Sequence, residues 1–181
     1  MKLLSTFSLV VAFKLVFLTG SIHDFSVPKI EGGTQSLSAY QGKKILIITL
    51  PLSQTVSTDS MLYALDTLAT AHTSTLKVIA VPSYEDGYTP AQKSALTAWY
   101  RSMLGTGIVI TEGLYTRRTS GGQQHPLFAW LTKESQNELF DIDIEGPGYK
   151  YFAKGNGQLY GVLRPASKIS GLSVQKTLRI Q

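Results

Sequence analysis

Two mainly apolar, largely β-branched runs, Ile45–Leu50 with Thr49 and Leu76–Val81 with Lys77 as their polar members, stand out along the chain, and each is stopped by a proline, Pro51 and Pro82. A strand with one wet face alternates apolar and polar positions, so continuous runs of this length predict strands buried on both faces. Between them Met61, Leu65 and Leu68 fall at i, i+4 and i+7. This predicts a helix from about Asp59, with Ser57 or Thr58 as N-cap and Asp59 complementing the helix dipole. Thr89-Pro90-Ala91-Gln92 reads as a second helix start, with Thr at the N-cap, Pro at N1 and Gln at N3. Leu96, Trp99 or Tyr100, and Met103 supply its apolar stripe, and Gly105 suits the position just past its end. A short strand at Ile108–Ile110, a polar loop from Thr116 to Gln124 and a short helix from His125-Pro126 to Leu131 follow. Tyr149–Lys154 and Gln158–Leu163 then flank Gly155-Asn156-Gly157, a hairpin turn whose glycines suit positive φ. A last helix is expected near Gly171 to Leu178. The order β-α-β-α-β-α-ββ-α predicts an α/β domain, a mixed sheet with helices on both faces.

The N-terminal segment has a different texture. Met1 to Leu18 carries Lys2, an apolar run from Leu3 to Phe13, then Lys14, which is short of the about 20 apolar residues a membrane-spanning helix needs. Thr19 and Ser21 occupy the −3 and −1 positions of a cut before Ile22, the small-residue pattern of a secretory signal. Residues 1–21 are therefore expected to be a signal peptide or an N-terminal membrane anchor, and residues 22–181 a single domain. The protein is expected to be exported, either periplasmic or membrane-anchored. A retained amphipathic or buried segment is the alternative, to which Lys14 points.

Composition narrows the chemistry. With 181 residues, 43% of them apolar and 16% charged, the chain suits one packed domain. The net charge of +5 is scattered, and its densest spots, Lys43-Lys44 and Arg117-Arg118, are bare pairs without interleaved aromatics. A nucleic-acid interface is not expected from such a pattern. The chain has no cysteine, which excludes a disulfide framework, a thiolate zinc site, a CxxC pair and any redox-active thiol. His23, His72 and His125 are far apart in sequence, and no G-x-S-x-G elbow or H-x₃-H pair occurs. Neither a hydrolase triad, a metal site nor a cofactor is expected. A cut after Gly20 would leave Ser21-Ile22-His23 as a free N-terminus of the kind that holds Cu(II) in a square plane, but the favoured cut lies elsewhere.

Several segments in order resemble a known family. Ile22-His23-Asp24-Phe25 followed by Gly33, Leu37, Tyr40 and Gly42-Lys43, then His125-Pro126-Leu127-Phe128 with Trp130-Leu131, then Lys150 to Gly157 and Arg164-Pro165-Ala166-Ser167, are similar to the glutathione peroxidase family over about residues 22 to 178. The resemblance implies a thioredoxin-like fold: a central mixed β-sheet flanked by helices and preceded by an N-terminal β-hairpin. It also implies the family role of thiol-dependent peroxide reduction in the response to oxidative stress. The family's catalytic positions are altered, however. Its peroxidatic chalcogen falls on Thr55, its glutamine on Glu85, and the tryptophan and asparagine of its W-N-F-x-K motif on Gly146 and Pro147.

These replacements remove what peroxide reduction requires. A threonine hydroxyl stays protonated near neutral pH and cannot cycle through a sulfenate, as a thiolate of lowered pKa can. An ionised Glu85 accepts rather than donates and disfavours a neighbouring anion, and Pro147 has no N–H to offer. The expectation is a catalytically inactive binding or scaffold module. A small molecule or protein would bind at the altered cleft near Thr55, Glu85, Tyr84 and Gly146, with Arg117 and Arg118 as candidate anion contacts. The alternative is an active peroxidase that draws its catalytic residues from elsewhere in the chain.

Overall fold

The computed structural model describes residues 20–180, so the expected signal or anchor segment lies, up to Thr19, outside the described residues. A short 3₁₀ turn, Ile22–Asp24, opens the domain, with the Ser21 hydroxyl accepting from the His23 N–H as its cap. Strands β1 (Ser26–Pro28) and β2 (Thr34–Ser36) then pair antiparallel as the expected N-terminal hairpin. The main sheet follows in the order β3 (Lys44–Thr49), α1 (Val56–Ala71), β4 (Leu76–Val81), α2 (Lys93–Met103), β5 (Val109–Ile110), α3 (Pro126–Thr132), α4 (Glu134–Asn137), β6 (Lys150–Ala153), β7 (Leu159–Leu163) and α5 (Leu172–Arg179). Across the sheet the strands lie β5-β4-β3-β6-β7. β3, β4 and β5 run parallel, while β6 and β7 are antiparallel additions beside β3.

The apolar runs are continuous because each strand feeds two cores. Leu46, Ile48, Val78, Ala80 and Phe152 face one way, onto Leu62 and Leu65 of α1, Leu96 and Tyr100 of α2 and Val174 of α5. Ile45, Ile47, Ile79, Val81 and Tyr151 face the other, onto Leu127, Phe128 and Leu131 of α3 and onto Ile22, Val27 and Leu37 of the N-terminal segment. The mixed sheet with helices on both faces is as the pattern predicts.

Four local details differ from the pattern. Helix α1 starts at Val56 rather than near Asp59, because Thr55 and not Ser57 or Thr58 is the N-cap. The Thr55 hydroxyl accepts from the Thr58 N–H, and the Thr58 hydroxyl accepts from the Thr55 N–H. The Thr89-Pro90-Ala91-Gln92 start makes a 3₁₀ turn before the α-helix proper, with the Gln92 side chain accepting from the Thr89 N–H at 3.0 Å. Helix α4 has only four residues and no apolar stripe from which it could be read. At the tip of the β6–β7 hairpin, Gly157 has φ +90°, as expected there, while Gly155 does not belong to the positive-φ glycines. Gly155 is required by contact instead, since a Cβ there would lie 2.8 Å from the Gly42 backbone.

Candidate functional site

Ligands of open α/β sheets gather beyond the carboxyl ends of parallel strands, which directs attention to the end where β3 passes into α1. The last residue of β3, Thr49, is buried and ties this end together. Its hydroxyl donates to the Gly146 carbonyl at 3.3 Å and accepts from the Tyr149 N–H at 3.0 Å, while its backbone carbonyl accepts from the Gly148 N–H at 2.8 Å. Gly146 and Pro147 are thereby held beside the start of α1, where Thr55 sits exposed as the helix cap. The Tyr100 hydroxyl donates to the Pro51 carbonyl at 2.7 Å and fixes the β3–α1 turn from the α2 side.

Glu85 belongs to a different arrangement. Its carboxylate accepts from the Ser83 hydroxyl at 2.6 Å, the Ser120 hydroxyl at 2.5 Å, the Arg117 N–H at 2.8 Å and the Thr116 N–H at 2.9 Å. Burial pushes this carboxyl up, but the donors outweigh it and hold it at about 2. Every donor comes from the turn after β4 or from the 116–120 loop, so Glu85 pins that loop to the sheet. Tyr84 is likewise committed, stacked on Tyr115 with ring centroids 4.6 Å apart. Arg117 pairs with Asp86 and Arg118 with Asp141, so both guanidinium groups that the sequence offers as anion contacts are spent on carboxylates within the fold.

A groove of about 480 Å³ opens between the first turns of α1, the Pro147-Gly148 turn and the β7–α5 loop. Pro147 lines it, as do Ser57 and Thr58 next to the Thr55 cap; Thr55, Glu85, Tyr84 and Gly146 do not. The structure thus gathers Thr55, Gly146 and Pro147 at one end of the sheet and gives Glu85 and Tyr84 to the neighbouring loop. Lys150, the first residue of β6, also lines the groove and is only 2% exposed. Its ammonium donates to the Gly148 carbonyl at 2.6 Å and approaches the Arg164 carbonyl at 3.5 Å. Burial pushes this lysine down to about 8. Sequence reasoning passed over it: Tyr149, Tyr151 and Phe152 around it mark a strand, but not that the lysine's own face is an inner one.

His125 and His23 are structural, while His72 is exposed just past α1. His125 caps α3, its Nδ1 accepting from the Leu127 N–H at 3.3 Å, and burial pushes the imidazole down. His23 is buried, with Nδ1 at 3.1 Å from the Leu37 carbonyl and Nε2 at 3.1 Å from the Gly155 carbonyl. That placement turns it away from any copper site at a new N-terminus. Among the described residues no cluster of His, Asp and Glu is gathered to hold a metal ion, and no helix is long and apolar enough to cross a membrane.

The sequence matches no protein-family profile and no curated protein. The three-dimensional arrangement does match solved structures. The apo form of Trgpx superposes with a TM-score of 0.64 at 17% identity, covering 88% of this chain and 93% of that one. GPX1 of T. cruzi gives 0.61 at 15% identity, over 88% and 94%. The exposed lipoprotein thioredoxin Etrx1 of Streptococcus pneumoniae gives 0.53 at 17%, over 86% and 97%. The fold is thioredoxin-like. At these identities the likeness carries the fold alone. The expected hairpin, mixed sheet and flanking helices are all present in it.

Proposed function

We propose that this protein is a glutathione-peroxidase-like module that has given up peroxide chemistry and acts by binding a small molecule or protein partner outside the cytoplasm. One observation carries the reading. The chain contains no cysteine, and Thr55, which stands in the chalcogen position by resemblance, has its hydroxyl committed to the α1 capping box with Thr58. No thiol is present to supply the thiolate that attacks an O–O bond and is then re-reduced by a second thiol. Glu85 supports the same reading, because its carboxylate is filled by donors from its own loop and cannot serve as the amide donor of a peroxidase site. The groove beside Pro147 is the binding surface in this proposal, rather than a cleft that includes Glu85 and Tyr84.

The test is direct. Purified protein supplied with hydrogen peroxide and either glutathione or thioredoxin should consume no peroxide above a no-protein blank. Measurable turnover would establish the alternative, an active peroxidase using other residues. Export belongs to the same proposal and rests on the apolar N-terminal segment with Thr19 and Ser21 before Ile22. It draws support from a fold neighbour described as an exposed lipoprotein. Mapping the N-terminus in the native host should find the protein outside the cytoplasm, either cleaved near Ile22 or anchored to the membrane. A cytosolic product beginning at Met1 would end that part.

A further inference from the structure

We infer that the groove between α1 and the β7–α5 loop is a site for a small organic carboxylate with an apolar body, and that Lys150 is its charge anchor. The inference deepens the proposed binding role and rests on it. Among the described residues Lys150 is the only lysine or arginine that is buried. Lys93, Arg101, Arg117 and Arg118 each pair with a carboxylate, but Lys150 has only the carbonyls of Gly148 and Arg164. An ammonium has three N–H groups, and two carbonyl contacts leave one of them and most of the charge unanswered. A buried cation held without a counter-ion is costly, and the depressed proton affinity of Lys150 reflects that cost.

The surroundings select for an anion that is not merely inorganic. Pro51, Met61, Ala64, Pro147 and Ile169 form an apolar wall, and the space of about 480 Å³ lies within the usual range for small-molecule sites. Lys168 adds a second, exposed cation at the groove, and no Asp or Glu is among its lining residues. The carboxylate in the first turn of α1, Asp59, is engaged elsewhere, accepting from Trp99 Nε1 at 2.7 Å and from Gln54 Nε2 at 3.2 Å. The positive end of the α1 dipole opens on the same side. A bare phosphate would satisfy Lys150 but leave the wall wet, and a neutral apolar molecule would cover the wall but leave the ammonium unpaired. A carboxylate with an apolar body satisfies both.

The full chain should be titrated with octanoate and with 3-phenylpropionate by calorimetry, with 1-octanol and inorganic phosphate in parallel. At least one carboxylate should bind saturably and one-to-one, at least about tenfold more tightly than the alcohol or the phosphate. Lys150→Met should weaken that binding at least about tenfold, while Lys150→Arg, which keeps the charge, should weaken it less. A melting temperature for Lys150→Met at or above that of the parent shows that any loss is not unfolding. Absence of saturable binding by both carboxylates, unchanged binding in a folded Lys150→Met, or equal binding of phosphate would overturn the inference. Each of those results leaves the peroxide assay untouched, whereas peroxide turnover would overturn the proposed inactivity without bearing on the octanoate titration.

Discussion

The Glu85 carboxylate accepts the backbone N–H of Arg117 at 2.8 Å, joining the turn after β4 to a loop more than thirty residues further along the chain. Because the adjacent Thr116 N–H and the Ser83 and Ser120 hydroxyls converge on the same two oxygens, the loop is fastened by one ionised group. Glu85→Ala should cost about 2–3 kcal/mol in urea unfolding, the scale of hydrogen bonds to a charged group whose partners are left behind. Amide exchange should quicken at Thr116 and Arg117 in particular. Slow exchange there in the variant would show that the loop is held by something else.

The same contact sets a pH dependence. The folded carboxyl is held at about 2, below its ordinary value of 4.5, so the folded state binds the proton less readily than the unfolded chain. Its contribution is fully present above about pH 5 and is lost as the pH falls through about 4.5 toward 2. Unfolding free energy followed across that window should drop more steeply in the parent than in Glu85→Gln, which has no proton to take up there. Parallel curves would remove Glu85 from the acid response.

Thr55 is predicted to matter to stability and not to catalysis. Thr55→Ala deletes one half of the capping box at the start of α1 and should cost about 1 kcal/mol. Thr55→Ser, which keeps the hydroxyl, should cost much less. If Thr55 held a catalytic role instead, the alanine variant would alter a measurable turnover rather than the unfolding midpoint.

The sheet and its helices were legible in the chain because Ile45–Leu50 and Leu76–Val81 are apolar except at Thr49 and Lys77 and each is followed by a proline. The start of α1 was not, because its capping box uses Thr58 where glutamate or glutamine is the usual sign. Gly105 was placed correctly just past α2, but its N–H is satisfied by the Asp66 carboxylate at 2.7 Å rather than by a left-handed cap. The site was only half visible. Thr55, Gly146 and Pro147 were placed only through the resemblance, since Thr49 and Gly146 are 97 residues apart, and the donors to Glu85 beyond Ser83 come from residues 116–120, again a distance over which sequence spacing carries no information. Lys150 was hidden for a related reason. That its face of β6 is an inner one follows from its pairing opposite Ile48, a register no local pattern specifies.

Lys150 should reduce stability as it stands. Its folded proton affinity lies below that of a lysine in water, so the folded state resists the charge and gains stability as the pH rises through about 8 toward 10.5. Lys150→Met keeps an unbranched side chain one atom shorter and removes the buried charge. It should stabilise the protein by about 1–3 kcal/mol at pH 7, with the advantage shrinking as the pH approaches 10.5. Urea unfolding at pH 7 and pH 10 measures both effects, and a variant less stable than the parent at pH 7 would mean that the carbonyls of Gly148 and Arg164 already compensate the ammonium.

The β6–β7 hairpin tip is predicted to be the least tolerant part of the surface. Gly157 has φ +90°, and a Cβ there would lie 1.8 Å from Ser21 Oγ and 2.7 Å from His23 Cδ2. Its carbonyl accepts the Ile22 N–H at 3.0 Å, and the His23 ring bridges the carbonyls of Gly155 and Leu37, so the tip clasps the opening turn against the sheet. Gly157→Ala combines an unfavourable backbone conformation with a collision that Ser21 can relieve only by giving up its cap. It should cost about 2–4 kcal/mol. The adjacent Asn156, exposed at the same tip, is a control, and Asn156→Ala should cost less than about 1 kcal/mol. If both substitutions cost the same, the clasp between Gly157 and the Ser21–His23 turn contributes nothing beyond the turn itself.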